Sequence, residues 1–589
     1  MTWQAWFTLA VALSTLFCLA RDLLPPATVM VGAAIVLLLA GVIKPDEAFA
    51  GFGNPAPITV AALYVLARGA EKTGLLQPML ERLLGSGNGG RWAMARLLVP
   101  SAAASAFLNN TPIVAMMIPQ VLRWAERARE SASRYLMPMS FAVVLGGVIT
   151  TIGTSTNLVV SGLLERSGKA PLGLFEITPV GLPVAIIGIL TLIITVPWLQ
   201  ADRRPARQQL DDNVREFTVS MKLVPGGPLD GKQVEDGGLR NLKGVFLAGI
   251  ERNGELIAPV APNQVLRGGD LLNFVGRADM VIDLHSRRGL VSAEGKHIRH
   301  FDTARHGFFQ AVVGASSPLV GNTLKGVEFR SRYQAAVVAI HRSGHPIEAK
   351  LGEVPLRLGD TLILLADPGF RERWRDRSDF LMVASMEGTP PAVTKKAWIV
   401  GVVGLLIVGV AGAGLVPILQ ASLVGAVALV AFGVLTSTEA RNSIELDTMV
   451  VIAASFALGT AMERSGLAAA AARLVIAGSG GGSVHGALLG ITLATVITTE
   501  LITNNAAAAL LFPIALASAE QLGVDPRPFA IAVAVAASNS FLTPIGYQTN
   551  TMVYGPGGYR FTDYVRVGLP LTITTIITTV LVIPWAWGL

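Results

Sequence analysis

Apolar residues run through this chain in long stretches, and the polar interruptions fall in a repeating order. In the first 200 residues, runs near 5–23, 27–43, 54–80, 136–163 and 174–199 predict membrane-spanning helices. Each is close to the roughly 20 residues that cross a hydrocarbon core about 30 Å thick. After residue 394 the pattern returns, near 396–416, 418–437, 447–475, 526–552 and 566–588. Two further segments, 92–122 and 484–516, are too interrupted by Asn, Thr, Ser and Pro for a lipid-facing helix. A re-entrant hairpin buried in protein would satisfy their backbone groups.

The interruptions match in pairs. Ser105-Ala106-Phe107-Leu108-Asn109-Asn110-Thr111-Pro112 aligns with Thr499-Glu500-Leu501-Ile502-Thr503-Asn504-Asn505-Ala506 at an offset of 394. Glu71-Lys72-Thr73-Gly74-Leu75 matches Glu463-Arg464-Ser465-Gly466-Leu467 at 392, and Gly153-Thr154-Ser155-Thr156-Asn157 matches Gly546-Tyr547-Gln548-Thr549-Asn550 at 393. Landmarks kept in order imply duplication, and an odd number of spans per copy turns the second copy upside down. Arg123, Arg127, Arg129 and Arg134 crowd one loop, Arg203, Arg204 and Arg207 follow the fifth span, and Lys395 and Lys396 precede the sixth. The positive-inside rule then puts 201–394 in the cytoplasm and both termini outside an inner (plasma) membrane.

Between the flanks, residues 201–394 are charged and hold six of the seven histidines. Alternating apolar and polar runs with Gly and Pro punctuation predict short strands and turns. This block repeats at an offset of 90: Pro228-Leu229-Asp230-Gly231 with Pro318-Leu319-Val320-Gly321, Ile250 to Gly254 with Ile340 to Gly344, and Leu266 to Asp270 with Leu356 to Asp360. Those residues resemble the TrkA-C (RCK C-terminal) module, which implies a small α/β domain that binds a regulatory ligand, here of unknown identity. The predicted fold is thus a polytopic α-helical membrane protein with an inverted-topology repeat and an inserted cytosolic α/β tandem domain. Its expected domains are 1–200, 201–290, 291–385 and 394–589.

Composition narrows the classes. With 52% hydrophobic and 15% charged residues, this is not an ordinary soluble protein. The single cysteine, Cys18, excludes an intrachain disulfide and a cysteine metal cluster. The net charge of +7 fits basic cytoplasmic loops, and nothing points to nucleic acid as a partner. The first residues lack a basic n-region and a cleavage site, so the first helix is expected to be retained. No nucleophile–base pair and no metal cluster stands out, so an enzyme is not expected.

Four polar patches carry the chemistry: Asn109 to Thr111, Thr503 to Asn505, Gly153 to Asn157 and Gly546 to Asn550. Backbone carbonyls freed at such breaks are hard ligands for a small alkali cation, while helix N-termini, amides and hydroxyls suit an anion. None of the four patches contains Lys, Arg or His, so an anionic substrate would need co-bound cations. Glu500, an acid inside a span, is a candidate for proton or cation coupling. Glu71 and Glu463, each followed by a base, are expected near helix ends as structural pairs.

Together these patches resemble the divalent-anion/sodium symporter family of the ion-transporter superfamily, which carries two Ser-Asn-Thr motifs and two breaks ending in Asn. The resemblance implies one sodium site at Ser105, Asn109, Asn110 and Gly153, and a second at Thr499, Thr503, Asn504 and Gly546. It implies an anion pocket at Asn110, Thr111, Asn504, Asn505, Ser155, Thr156, Gln548 and Thr549. It also implies a homodimer, sodium-coupled symport and an elevator-type or rocking motion. Asn109 and Asn505 depart from the motif, leaving sulfate, a di- or tricarboxylate or another oxyanion open as substrate. A proton-coupled carrier or exchanger using Glu500, and a transporter-like nutrient sensor, stand as alternatives.

Overall fold

The computed structural model describes residues 2–21, 23–75, 90–128, 130–200, 218–239, 245–252, 255–257, 260–276, 289–292, 307–314, 317–342, 345–347, 351–367, 369–374, 379–385, 396–478, 483–544 and 546–589. Arg129, Arg203, Arg204, Arg207 and Lys395, used above for orientation, lie outside the described residues. The chain divides into two compact units, Met1–Arg203 with Thr389–Leu589, and Arg204–Gly388.

The first unit is helical. Its first flank runs α1 (Trp3–Ala20), α2 (Pro26–Leu39), α3 (Pro45–Phe49), α4 (Pro55–Thr73), α5 (Arg91–Ser105), α6 (Asn110–Ala128), α7 (Ser133–Gly147), α8 (Ser155–Arg166) and α9 (Thr178–Leu199). The second flank follows the sheet unit and its two short helices. It runs α12 (Ala397–Gly412), α13 (Ile418–Ala431), α14 (Ser437–Asn442), α15 (Leu446–Arg464), α16 (Leu467–Gly478), α17 (Val484–Leu501), α18 (Asn504–Leu522), α19 (Pro526–Ala537), α20 (Gln548–Tyr554) and α21 (Phe561–Trp587). Seven stretches of described helix are long and apolar enough to cross a bilayer, and five shorter ones are apolar.

The breaks have local causes. The predicted span 447–475 is two helices, because Gly466 adopts φ +76° and ends α15 as only glycine does without strain. The runs 136–163 and 526–552 also split, after Gly147 and Ala537, and helix resumes at Ser155 and Gln548. Close approach at these breaks needs glycine. A Cβ on Gly181 in α9 would collide with the Val148 carbonyl, and one on Gly568 in α21 with the Phe541 carbonyl.

Each flank packs on the other. Ala62, Val65, Leu66 and Ala70 of α4 share a core with Val400, Val403 and Ile407 of α12 and Leu429 of α13. Met30, Ala34 and Leu37 of α2 share one with Val451, Ala454 and Leu458 of α15. Ion pairs close both packings. Lys72 Nζ lies 2.7 Å from Glu439 Oε2, and Arg464 pairs with Glu47. The two bases that follow Glu71 and Glu463 therefore bind acids of the opposite flank, while Glu71 itself pairs with Arg68 at 2.8 Å.

The second unit holds two five-stranded, wholly antiparallel sheets. The first comprises β1 (Thr218–Leu223), β2 (Val245–Arg252), β3 (Glu255–Ile257), β4 (Leu271–Gly276) and β5 (Leu290–Ser292), in the order β3-β2-β4-β1-β5. The second comprises β6 (Gly307–Val313), β7 (Ala335–Arg342), β8 (His345–Pro346), β9 (Thr361–Ala366) and β10 (Phe380–Ser385). Its order, β10-β6-β9-β7-β8, is the same path read backwards. Among the described residues two five-residue α-helices, α10 (Phe329–Tyr333) and α11 (Phe370–Trp374), accompany the strands. The repeat extends to side chains. Arg252 grips Asp270 with Nε and Nη2 at 2.8 and 2.7 Å, and Arg342 grips Asp360 at the same two distances.

The Asp360 side chain is 1% exposed, so Arg342→Ala leaves a buried carboxylate without its cation. We expect a loss of roughly 2 kcal/mol, less than for full burial because the guanidinium is partly exposed. Hydrogen exchange of β7 and β9 in the full-length protein should accelerate; unchanged protection would show that the pair is dispensable.

Candidate functional site

Two hairpins and two breaks meet in the helical unit. The first hairpin turns between Ser105, the last residue of α5, and Asn110, the first of α6. The turn is closed by the Ser105 hydroxyl donating to Asn110 Oδ1 at 2.6 Å. The second turns between α17 and α18, where the Thr499 hydroxyl lies 2.8 Å from Asn504 Oδ1 and 2.6 Å from the Ala537 carbonyl oxygen. Ser105, Thr499, Asn110 and Asn504 are all buried.

The breaks are clamped by the asparagines that follow them. Asn157 Nδ2 donates to the carbonyls of Gly147 and Thr150 at 3.2 and 2.9 Å. Asn550 Nδ2 does the same for Ser540 and Thr543, at 2.7 and 3.3 Å, and its Oδ1 accepts from Ser140 at 2.9 Å. These carbonyls would otherwise be orphaned inside an apolar unit at a cost of several kcal/mol each.

Oxygens crowd the glycines beside the hairpin tips. A Cβ placed on Gly153 would lie 2.5 Å from the Gly147 carbonyl oxygen and 2.7 Å from that of Ser105, and one on Gly147 would lie 2.7 Å from Asn110 Oδ1. In the other copy a Cβ on Gly546 would meet Ser540 Oγ, with Thr543 Oγ1 at 2.9 Å and Glu500 Oε2 at 3.2 Å. Oxygens gathered near the C-terminal ends of helices, neutral in the first copy and including the Glu500 carboxylate in the second, suit a small hard cation. Asn109 and Thr503, also expected in these cradles, stand half-buried and exposed just before α6 and α18.

Glu500 occupies the position that Ala106 holds in the first copy. Its carboxylate accepts from the Leu542 amide at 2.7 Å and the Thr543 hydroxyl at 3.0 Å. In the first copy the Thr150 hydroxyl donates instead to the Ala106 carbonyl. The acid is thereby tied to the second break.

Between the cradles, helix N-termini face one another. Thr111 in the first turn of α6 donates to Gln548 Oε1 at the start of α20, at 3.2 Å. Ser155 and Thr156 at the start of α8 donate to Asn505 Oδ1 in the first turn of α18, at 3.1 and 3.3 Å. Side-chain amides and hydroxyls at helix N-termini, with no lysine or arginine among them, suit the oxygens of an anion. Thr549, also expected here, is buried with its hydroxyl unpartnered among the described residues.

Sequence reasoning missed Gly147, Thr150, Ala537, Ser540, Thr543 and Tyr547. Tyr547 takes a hydrogen bond from Asn110 Nδ2 at 3.0 Å. Its signal was present, because it is the one aromatic residue in the four patches and matches Thr154 in the other copy.

A family model described as citrate transporter matches residues 14–536, and again 420–589. The chain belongs to the citrate transporter family. That family comprises multi-pass membrane transporters, in keeping with the apolar helices above. An uncharacterized transporter of Synechocystis is 34% identical, over 100% of this chain and 98% of its own. A Chlamydomonas reinhardtii protein provisionally named sulfur deprivation response regulator is 33% identical, over 93% of this chain and 96% of its own. Sodium/sulfate cotransporter 1 of the same alga is 25% identical, over 90% of this chain and 84% of its own.

Asn550→Ala removes the clamp on the Ser540 and Thr543 carbonyls. We expect a destabilisation of about 1–3 kcal/mol, read as a lower Tm of the detergent-solubilised protein. A Tm equal to wild type would mean that other groups hold the break.

Proposed function

We propose that this member of the citrate transporter family is a secondary transporter that moves a small divalent anion with sodium. The observation that carries the reading is the polarity of the helix ends. Four N-termini surround the cluster of Thr111, Gln548, Asn505, Ser155 and Thr156, while α5, α7, α17 and α19 end at the two oxygen cradles. A divalent anion there carries charge that no side-chain cation offsets, and one sodium ion in each cradle would balance it. The first site takes Ser105, Asn110, Gly147 and Gly153, with Asn109 at its margin; the second takes Thr499, Asn504, Ala537 and Gly546, with Thr503 at its margin. The sodium/sulfate cotransporter relative supports sodium and an oxyanion.

The matched order of helices, and the reciprocal pairs Lys72 with Glu439 and Arg464 with Glu47, support an inverted repeat. In this reading the hairpins enter from opposite sides and alternate exposure by an elevator-type motion. The sheet unit is a cytosolic pair of TrkA-C modules that biases transport when its ligand binds. The protein works as a homodimer in the plasma membrane with both termini outside. Glu500, tied to the second break, favours proton coupling as a second reading. The relative named as a sulfur deprivation response regulator favours a sensor.

Asn110→Ala and Asn504→Ala should each weaken sodium-dependent thermal stabilisation, and the double change should abolish it. Shifts surviving both changes would refute the cradles. In proteoliposomes, replacing sodium by choline at fixed pH should stop anion uptake. Uptake that continues sinks sodium coupling, and binding without counterflow would identify a sensor.

A further inference from the structure

Away from the polar site, an apolar groove runs between α5 and α9 of the helical unit. It encloses about 620 Å³, and Arg91 is the one charged residue in its lining. Ala95, Ala102 and Ala103 line it from α5, Ile186 and Leu190 from α9, and Ile149 from the first break. From Arg91 to Ala103, α5 rises about 18 Å. That is close to half of the roughly 30 Å hydrocarbon core, the depth of one leaflet.

Small side chains open this groove, and the second flank carries larger ones. At the offset of 394 that aligns the hairpin tips, Ala95, Ala102 and Ala103 correspond to Leu489, Val496 and Ile497, and Arg91 to His485. The end at Arg91 has the character of a membrane–water boundary. Trp92 and Trp198 are exposed there, and the Arg91 guanidinium lies 5.8 Å from the centroid of the Trp198 ring. Exposed tryptophans favour the headgroup level. No acid pairs with Arg91 among the described residues, although it begins α5, where a cation opposes the helix dipole. An anion beside it would meet both the guanidinium and the positive helix end.

We propose that the groove holds one acyl chain of an anionic glycerophospholipid, with its phosphate seated at Arg91. The proposal rests on the membrane setting of the family and not on which ion or anion is carried. Length, apolarity and charge agree on this occupant. The chain lies one leaflet deep along the alanines, and the headgroup stays at the level of the tryptophans. A zwitterionic headgroup offsets its phosphate with its own amine, so a lipid of net negative charge gains more from Arg91. At its inner end the chain meets Ile149, whose carbonyl accepts from Thr178 Oγ1 at 2.6 Å, and Ala102, whose backbone a Cβ on Gly146 would strike. An occupied groove therefore braces α5, α9 and the first break together.

The test is native mass spectrometry of the full-length protein in detergent, with phosphatidylglycerol or phosphatidylcholine added in equal amounts. Wild type should retain phosphatidylglycerol about fivefold more strongly. Arg91→Gln should retain both alike, because the groove remains and the guanidinium is gone. Ala95→Leu combined with Ala103→Ile installs the residues of the second flank and should remove the tight phosphatidylglycerol adduct. An unchanged Tm in detergent shows that this variant folds. If it does not fold, Leu190→Trp fills the groove from α9 and should act the same way. Equal retention of the two lipids by wild type overturns the proposal. So does a preference that survives Arg91→Gln, or a tight adduct that survives filling. A dimer that falls to monomer only in the filled variants, with lipid retention unchanged, assigns the groove to a second copy of the chain and overturns it too.

Discussion

A helix that ends inside an apolar unit leaves N–H or C=O groups that hydrocarbon cannot satisfy, and the arrangement of the helical unit follows from how those groups are partnered. Asn157 and Asn550 take the freed carbonyls at the two breaks. The hydroxyls of Ser105, Thr499, Thr150 and Thr543 tie each hairpin tip to itself or to the nearby break. What remains is polar but uncharged in the first copy: carbonyls at C-terminal ends, amides at N-terminal ends. The same constraint that forbids unsatisfied backbone in a membrane thus leaves carbonyl-bearing and amide-bearing helix ends close to one another.

The matched patches of the two flanks differ in side chains that reach different partners. Glu500 stands where the first copy has Ala106, and Tyr547 where it has Thr154. Both substitutions lie in the second copy, and both reach a partner that its counterpart cannot. Glu500 is held by the Leu542 amide and the Thr543 hydroxyl, and Tyr547 by Asn110 of the other copy.

Around the site, packing is reciprocal. α4 shares a core with α12 and α13, and α15 with α1 and α2, each closed by an ion pair to the capping acid of a short helix. Glu47 and Glu439 hold the first turns of α3 and α14 through the amides of Lys44 and Thr436, at 2.9 and 2.8 Å. Each acid therefore caps its own helix and anchors the end of a span from the opposite flank. The sheet unit uses the same economy, with one Arg–Asp grip per sheet closing a strand onto a turn.

The apolar runs and the polar patches were legible in the sequence, because helix-length hydrophobicity and helix breaks are local properties. The offsets of 392 to 394 also identified most residues at the hairpin tips and breaks. The partners were not legible. That Asn157 and Asn550 clamp carbonyls, that Lys72 and Arg464 cross to the opposite flank, and that Glu500 binds the second break are contacts between residues far apart in the chain. The sheets' antiparallel order, and the split of 447–475 at Gly466, likewise needed the folded chain. Spelling alone determined where polar groups interrupt the apolar chain. Only the tertiary structure decided which interruption satisfies which, because hydrogen bonds are paired by proximity in space and not by position in sequence.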